Sequence, residues 1–260
     1  MSPTSKAAAG DLRYHGARKQ RADSMKVQFR CPPELTDILP RPYAAKRGMP
    51  DWLKRMAATA PSSDLNGEIR TVKQCPPFVD AMGLGFIVPL VTDIRVDHGS
   101  FEWDWDLGPS SVGPYTRSPL SFHLGEQLAG APIAAPDSAA IKFTNYWTIE
   151  TPPGFALLVT HPFNREELPF RTLTGLVDTD EYKDGCIQFP ALWRDPDFVG
   201  VLERGLPIAQ CVVVPRDALS LTFGELVGDA ARDFMRTQGA VNAESGTYRR
   251  RFRVAKPGSE

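Results

Sequence analysis

Residues 205–215 read Gly-Leu-Pro-Ile-Ala-Gln-Cys-Val-Val-Val-Pro, and this stretch indicates the fold class more directly than any other. Its apolar, β-branched run between two prolines is typical of a buried strand, which we predict over Ile208–Val214. Towards the middle of the chain, five more short apolar segments are separated by turn residues. They are Ile141–Phe143, Trp147–Glu150, Phe155–Thr160, Phe170–Val177 and Cys186–Phe189. Strands this short and this closely spaced predict a mainly β fold, in the manner of a sandwich or barrel.

The composition favours short strands joined by ordered loops. The 260 residues include 24 prolines and 21 glycines, and proline both breaks helices and removes a backbone donor. Hydrophobic residues make up 42% of the chain and charged residues 23%, which excludes a disordered polyelectrolyte. The formal net charge of −1 excludes a protein that grips nucleic acid by charge alone.

The first 70 residues predict one strand and one short helix. Val27–Cys31 alternates apolar and polar residues, as a strand does when one of its faces is buried. Pro50, followed by the pattern Trp52-Leu53-x-x-Met56, predicts a short helix that begins near the proline. Residues 60–67 are expected to form a loop.

The following stretch, Thr71 to Leu107, is expected to form strands. Its clearest part is Phe101-Glu-Trp-Asp-Trp-Asp-Leu107, in which apolar and acidic residues alternate. The alternation predicts that the aromatic side chains face the core and the acidic ones face solvent. Residues 108–140 predict a long loop with a short helical or extended piece near Phe122–Leu128.

We predict a single domain with a flexible segment at each end. Residues 1–24 are basic and polar and predict a disordered basic arm, and residues 241–260 predict a basic flexible tail. The β-rich domain is expected to span residues 25–240, with its core at about residues 141–216. Apolar residues at helical spacing predict a C-terminal helix over about residues 219–238.

The chain shows no pattern of export or of membrane insertion. Its longest apolar stretch, Gly83 to Val91, is too short to cross a bilayer and is interrupted by Pro89. The first 24 residues lack the apolar segment of a secretory signal. The four cysteines are far apart and form no C-x-x-C pair, so we expect reduced thiols in a cytoplasmic protein.

Four motifs follow one another in the C-terminal half of the chain. They are Pro152-Pro-Gly-Phe155, His161-Pro-Phe-Asn-Arg165, Gly175-Leu-Val-Asp-Thr-Asp-Glu-Tyr182 and Gly205-Leu-Pro-Ile-Ala-Gln210. Their order over residues 152–216 resembles the second half of the deoxyuridine triphosphatase (dUTPase) and dCTP deaminase superfamily, whose fold is the β-clip. From Lys26 to Arg216 the chain also resembles an uncharacterised family of bacterial and marine-phage proteins. The first resemblance implies a β-clip-like core, which is a distorted β-sandwich.

The two aspartates of the third motif carry chemistry of their own. Asp178 and Asp180 flank a threonine, so in an extended chain both carboxylates lie on one face. Two carboxylates at the end of an apolar strand can orient a water molecule or bind a divalent ion. They can equally cap a turn by accepting hydrogen bonds from nearby backbone N–H groups. The sequence leaves both interpretations open.

The dUTPase-like resemblance implies a role for each motif. Asp178 would be the base that activates the attacking water, Gln210 would position phosphates, and Arg165 would pair with a phosphate. The implied substrate-binding residues are Asn164, Arg165, Asp180, Tyr182 and Gln210. The implied function is a magnesium-dependent hydrolase of a nucleotide or related phosphorylated small molecule, active as a homotrimer with sites between subunits.

The sequence departs from that superfamily in three places. Pro162-Phe-Asn-Arg165 stands where the superfamily has P-R-S-G, and the glycine-rich C-terminal arm of the triphosphatases is missing. Gln188-Phe-Pro190 stands where the deaminase branch has a glutamate. The resemblance therefore implies hydrolysis rather than deamination, and it bears on the fold more than on the reaction.

A second hypothesis is a cupin-like oxygenase with non-haem Fe²⁺. The candidate ligands are His123, Glu126 and His161, with His98 as a further histidine. Such a site needs two histidines and a carboxylate on one face. The usual H-x-[DE] spacing is absent, since two residues separate His123 from Glu126.

A third hypothesis is a non-catalytic β-sandwich protein used for binding or assembly. The sequence contains no G-x-S-x-G hydrolase motif, no G-x-G-x-x-G dinucleotide motif and no G-x-x-x-x-G-K-[ST] phosphate loop. The partners that the dUTPase-like resemblance implies are a phosphorylated small molecule and further copies of the chain. We expect no membrane and no specific nucleic acid as partners.

Overall fold

The structure, a computed structural model, describes residues 25–113, 116–133 and 140–254, which form sixteen strands and three α-helices. In chain order the strands are β1 (Gln28–Arg30), β2 (Tyr43–Ala44), β3 (Thr59–Ser62), β4 (Gly67–Arg70), β5 (Phe86–Pro89), β6 (Ile94–Asp97), β7 (Ser100–Glu102), β8 (Leu120–Phe122), β9 (Ala140–Phe143), β10 (Thr148–Glu150), β11 (Phe155–Thr160), β12 (Phe170–Thr172), β13 (Gly175–Val177), β14 (Phe189–Trp193), β15 (Val199–Leu202) and β16 (Pro207–Pro215). The helices are α1 (Asp51–Arg55), α2 (Pro76–Met82) and α3 (Gly228–Ala243), and a π-helical turn spans Tyr248–Phe252.

All strand pairs in the described residues are antiparallel, and they form several sheets rather than one closed barrel. The largest sheet has the order β13-β11-β16-β5-β2, and a four-stranded sheet has the order β12-β14-β9-β8. A three-stranded sheet follows the order β15-β6-β7, and β1-β10 and β3-β4 form two-stranded ribbons. The predicted fold class, a mainly β single domain, is confirmed in this arrangement of short antiparallel strands.

The main core draws side chains from three sheets. It includes Leu157 and Ala209 of the five-stranded sheet, Phe143 and Phe189 of the four-stranded sheet, and Ile94 of the three-stranded sheet. All five side chains are fully or almost fully buried. Because each strand is too short to bury much surface alone, the fold is stabilised by these contacts between sheets.

The strand predicted over Ile208–Val214 is β16, the longest strand and the middle of its sheet. It pairs with β11 on one side, in the register Thr160 opposite Gln210, and with β5 on the other. Just before β5, Gly85 adopts φ +71°, and a Cβ built on it would lie 2.0 Å from the carbonyl oxygen of Cys211. Only glycine fits this position, because the two backbones approach too closely for any side chain.

The predicted aromatic face of residues 101–107 is confirmed. Phe101 and Trp103 pack against the main core, and Trp105 packs against a second, smaller core that contains Tyr146 and Trp147. Their acidic neighbours are exposed, so burial alternates along the segment although β7 ends at Glu102. The helix predicted near Trp52 is also present, as α1.

Two segments of the N-terminal half differ from the prediction. The expected loop over residues 60–67 is the hairpin β3–β4, whose turn includes Asn66 at φ +48°. Asn66-Gly67 is a strong hairpin signal, because both residues tolerate positive φ. The predicted strands after Thr71 are instead preceded by α2, which carries Pro76 and Pro77 in its first turn. Proline breaks a helix interior but fits the first turn, where no intrahelical N–H bond is made.

The C-terminal helix begins nine residues later than predicted. It spans Gly228–Ala243 instead of residues 219–238, and Gly228 itself has φ +56°. Residues 219–227 form no helix or strand, although their apolar spacing resembles that of a helix. Of the predicted flexible tail over residues 241–260, the structure describes residues 241–254, in which Arg253 makes two hydrogen bonds to Asp80 of α2. Residues 1–24, the predicted basic arm, lie outside the described residues.

Within the parts of the chain that the structure describes, no helix is both long enough and apolar enough to cross a lipid bilayer.

Gly85 and Gly154 offer a matched pair of substitutions that separates a backbone clash from backbone strain. Both have positive φ, but a Cβ on Gly154 would meet nothing within 4 Å. Gly154→Ala is expected to cost about 1–2 kcal/mol of unfolding free energy, the penalty of the left-handed conformation. Gly85→Ala adds overlap with Cys211 and is expected to cost roughly 4 kcal/mol. Urea denaturation measures both values, and equal costs would contradict the close approach of β5 to β16.

Candidate functional site

Gln210 lies in the interior, with 1% of its surface exposed. Its side-chain Oε1 accepts a hydrogen bond from the backbone N–H of Phe163 at 2.9 Å. Its Nε2 donates to the carbonyl oxygens of Ala81 at 3.1 Å and Leu84 at 2.6 Å. The amide therefore connects β16 to the 161–165 turn and to the end of α2. A phosphate contact of the kind that the resemblance implies would require these buried bonds to break.

Asn164 and Arg165 form a turn rather than an open phosphate loop. Asn164 has φ +57°, and the N–H of Arg165 donates to the carbonyl oxygen of Pro162 at 3.2 Å. The Arg165 side chain is largely buried and is paired with Glu167. A guanidinium already held by a carboxylate is a poor ligand for phosphate.

The predicted carboxylate pair is brought together, but by an arginine. Arg216, just after β16, contacts Asp178 at 3.5 Å between Nη1 and Oδ1, and its Nη2 pairs with Oδ2 of Asp180. The same Oδ2 accepts the N–H of Gly154 at 2.9 Å. We call Asp178, Asp180, Arg216 and Gly154 the aspartate clasp. It joins the turn before β11, the turn after β13 and the end of β16.

The two carboxylates of the clasp differ in exposure. The side chain of Asp180 is 4% exposed, whereas that of Asp178 is 58% exposed. Asp180 accepts a backbone N–H, which is the turn-capping interpretation of the sequence. Asp178 instead faces solvent. A magnesium ion at this pair would compete with the guanidinium of Arg216, which contacts both carboxylates. Among the described residues, no group of three or more histidine, cysteine, aspartate or glutamate side chains could hold a metal ion.

Tyr182 closes the turn that follows Asp178. Its backbone N–H donates to the carbonyl oxygen of Asp178 at 2.8 Å. Its ring lies over Gly185, where a Cβ would come within 2.2 Å of the ring. Next to it, the hydroxyl of Thr179 is buried and lies 2.8 Å from that of Thr151. These contacts order the turn, and the Tyr182 side chain itself stays half-exposed.

The residues of the proposed iron site do not meet. Nδ1 of His123 lies 3.1 Å from the Oε1 of Gln127, and Glu126 is exposed on the neighbouring 3₁₀ turn. His161 accepts the N–H of Thr172 at Nδ1, 3.2 Å away, so its Nε2–H donates to the carbonyl oxygen of Arg165 at 3.0 Å. Burial lowers the pKa of His161, which matches a neutral ring with both nitrogens engaged. His98 pairs with Asp97 on an exposed turn.

A feature that the sequence did not predict is an exposed apolar segment between two anchored points. Residues 217–246, which we call the C-terminal arm, follow Arg216 of the aspartate clasp and precede the fully buried Thr247. No side chain of α3 is buried. The large apolar side chains that the arm exposes are Leu219, Leu221, Phe223, Leu226, Val227, Phe234, Met235 and Val241. Leu219 is 85% exposed and Phe223 is 95% exposed.

The apolar residues of the arm are visible in the sequence, but they predict a helix packed on the domain. Gly224 and Gly228 are the signals against that packing, since two glycines within five residues destabilise a helix. Arg216 was likewise missed, because nothing in the spacing of a single arginine after a strand predicts which carboxylates it will meet.

Comparison of the chain with models of known protein families gives no match, and comparison with curated proteins gives none either. The dUTPase-like resemblance stays a prediction, and the function is argued from the geometry.

Gln210→Leu tests whether the buried amide is structural. The substitution removes the partner of the Phe163 N–H and of the Leu84 carbonyl oxygen, whereas the Ala81 carbonyl oxygen keeps the N–H of Leu84. We expect a loss of about 3 kcal/mol of unfolding free energy. Gln74→Leu is the control, because that partly exposed amide donates one hydrogen bond, to the carbonyl oxygen of Ala58, and its loss is expected to cost less than about 1 kcal/mol. Urea denaturation measures both. A Gln210→Leu variant as stable as the wild type would favour a role in phosphate binding instead.

Proposed function

We propose that the protein is a non-catalytic subunit of a homo-oligomer, and that its C-terminal arm docks on a second copy of the chain. The observation that carries this proposal is the arm itself, an exposed apolar segment whose two ends are fixed. Arg216 at its start pairs with Asp180, and Arg253 beyond its end pairs with Asp80. A frayed terminus would lack the second anchor, so the arm is a segment that is attached to its own domain at both ends while its apolar side chains stay exposed.

The apolar area of the arm suits a stable interface. Five large side chains stand within nine residues before α3, and all are more than half exposed: Leu219, Leu221, Phe223, Leu226 and Val227. Fully burying a side chain of this size contributes about 2 kcal/mol, so one arm supplies on the order of 10 kcal/mol. Two reciprocal arms would offset the translational and rotational cost of association. Monomeric proteins rarely expose apolar patches of this extent.

The charges favour a second copy of the same chain over an unrelated partner. The arm carries five acidic and two basic residues, while residues 247–254 directly after it carry four arginines and no acidic residue. In α3 the charges pair within the helix, as Asp229 with Arg232 and Asp233 with Arg236. Asp217 and Glu225 form no ion pair among the described residues, nor do Arg249 and Arg251. Glu244 of the arm pairs with Arg250 of the turn in the same chain. The charges that remain unpaired, Asp217 and Glu225 in the arm and Arg249 and Arg251 after it, are complementary between copies.

The double substitution Leu219→Glu with Phe223→Glu tests the assembly. We expect the wild-type chain to sediment as a multiple of its 28.7 kDa mass and the variant to sediment as a monomer. Introduced carboxylates cannot enter an apolar interface without a large desolvation cost. Sedimentation velocity at tens of micromolar chain measures the mass, which also tests the trimer that the resemblance implies.

Leu65→Glu is the matched control, since Leu65 is 72% exposed on the β3–β4 turn and lies far from the arm in the chain. It is expected to keep the mass of the wild type. A wild-type chain that is monomeric, or a double variant that keeps the mass of the wild type, would contradict the proposal.

A second candidate function is hydrolysis of a nucleotide or related phosphorylated molecule, with Asp178 as the base. One observation favours it: the Asp178 carboxylate is exposed and is held in place by Arg216. A carboxylate that is fixed yet open to solvent can orient a water molecule towards a bound substrate. The other implied residues give less support, because Gln210 and Arg165 are engaged elsewhere.

Phosphate release from a nucleotide panel, with Mg²⁺ in the buffer, separates the two candidates. The assembly proposal expects no turnover from the folded wild-type chain. The hydrolase proposal predicts turnover by the wild-type chain and a rate that is about 10²–10⁴-fold lower in Asp178→Asn. Asp217→Asn is the control, because it removes an exposed carboxylate next to Arg216 without touching the clasp. Turnover that survives Asp178→Asn would exclude Asp178 as the base.

A further inference from the structure

A cavity of about 240 Å³ lies beside the 161–165 turn, between β12 and the end of β14. Its walls are His161, Glu166, Leu168, Phe170, Arg171 and Arg194. Neither the resemblance nor the aspartate clasp involves its two arginines. The cavity is therefore separate from every candidate site in the sequence except for His161.

The register of the sheet places the two arginines on one face. Arg171 stands opposite Leu192 in the β12–β14 pair, and Arg194 follows Leu192 by two residues. Since side chains alternate along a strand, Arg171 and Arg194 are diagonal neighbours on the same side of the sheet. The backbone N–H of Arg194 donates to the carbonyl oxygen of Pro169 at 2.8 Å, which extends the pairing beyond the strand.

Both guanidinium groups are free to bind an anion. Neither Arg171 nor Arg194 forms an ion pair or a side-chain hydrogen bond with another described residue. In this they differ from several other arginines of the domain, which pair with carboxylates. Each group offers a planar set of N–H donors that matches the oxygens of phosphate. Two such groups at one cavity form a recognition site rather than a single surface charge.

Of the other residues that line the cavity, His161 is held in place by its own contacts. His161 uses both ring nitrogens for bonds to Thr172 and Arg165, and its ring meets that of Phe170 edge to face, with centroids 5.9 Å apart. The ring is therefore a rigid, neutral wall and not a base. Glu166 is exposed, and its carboxylate forms no ion pair or side-chain hydrogen bond with another described residue. Its carboxylate can accept a hydrogen bond from a hydroxyl or amino group that neighbours the bound anion.

We infer that this cavity binds the phosphate group of a small phosphate monoester. Arg171 and Arg194 hold the phosphate oxygens, and Glu166 accepts a hydrogen bond from a hydroxyl or amino group a few atoms away. The volume is below that of most small-molecule sites, so the ligand is a phosphate with a short carbon chain rather than a whole nucleotide. The inference is independent of the proposed assembly, because none of the six wall residues belongs to the C-terminal arm.

Isothermal titration calorimetry of the full chain tests the site with two probes, inorganic phosphate and glycerol 3-phosphate. We expect one site per chain, and tighter binding of glycerol 3-phosphate, whose hydroxyls reach Glu166. Arg171→Gln and Arg194→Gln are each expected to weaken both ligands about tenfold, since each removes a charged donor pair. Arg41→Gln, an exposed arginine elsewhere on the domain, is the control and should bind as the wild type does.

Glu166→Gln tests whether the carboxylate contacts the ligand, because a purely structural role of Glu166 would not change the relative affinities for the two probes. It removes a negative charge beside the anion, so it should tighten inorganic phosphate while reducing the preference for glycerol 3-phosphate. Equal binding of both probes by the wild type would assign the site to free phosphate instead of an ester. No binding of either probe, or binding that Arg171→Gln and Arg194→Gln leave unchanged, would overturn the inference.

Discussion

The carboxamide of Gln210 joins β16 to two other segments of chain that are far from it in sequence. From the middle of β16 it reaches the N–H of Phe163 and the carbonyl oxygens of Ala81 and Leu84. A buried amide must satisfy its donors and acceptor, so the segments around it have little freedom to move. The position of Gly85 against Cys211 follows from the same constraint, because the end of α2 and the start of β5 are held against β16. The 161–165 turn, which forms one wall of the arginine-lined cavity, is fixed from the same point.

β16 also determines where the functional surfaces lie. Beyond its last residue, Arg216 gathers Asp178 and Asp180 into the aspartate clasp, which ties three loops together at one end of the five-stranded sheet. The C-terminal arm begins directly after that clasp, so the exposed apolar segment follows the end of β16. In this arrangement two residues of the motif that resembles dUTPases, Asp178 and Asp180, take part in contacts between loops. The exposed apolar side chains therefore follow directly after the longest strand of the structure.

The sequence predicts the β class and the long central strand because local patterns determine both. Alternation along residues 101–107 is such a pattern, and so is the apolar run of Ile208–Val214. The prediction differs from the structure where the same residue type is compatible with two kinds of local structure. Pro76-Pro77 starts α2 although proline commonly breaks helices, and Asn66-Gly67 makes a hairpin turn in what was expected to be a plain loop.

The candidate site was harder to predict, because it depends on contacts between distant residues. The position of Gln210 in the motif gives no sign that its amide is buried, and only the folded chain shows that Arg216 occupies the space between the two aspartates. The spacing of apolar residues also could not distinguish a helix that packs on its own domain from a segment whose apolar side chains stay exposed. In the arm, Gly224 and Gly228 argue against a helix at this position, but the helical spacing of the apolar residues is the stronger pattern.

Hydrogen–deuterium exchange, followed by mass spectrometry over a series of chain concentrations, tests the assembly most directly. If the C-terminal arm is covered by a second copy, amides of peptides within residues 219–241 exchange slowly at high concentration and faster on dilution. The exposed hairpin β3–β4 should exchange at the same rate throughout. Rapid exchange of the arm at every concentration, in a chain whose β16 stays protected, would show that nothing covers it and would contradict the account.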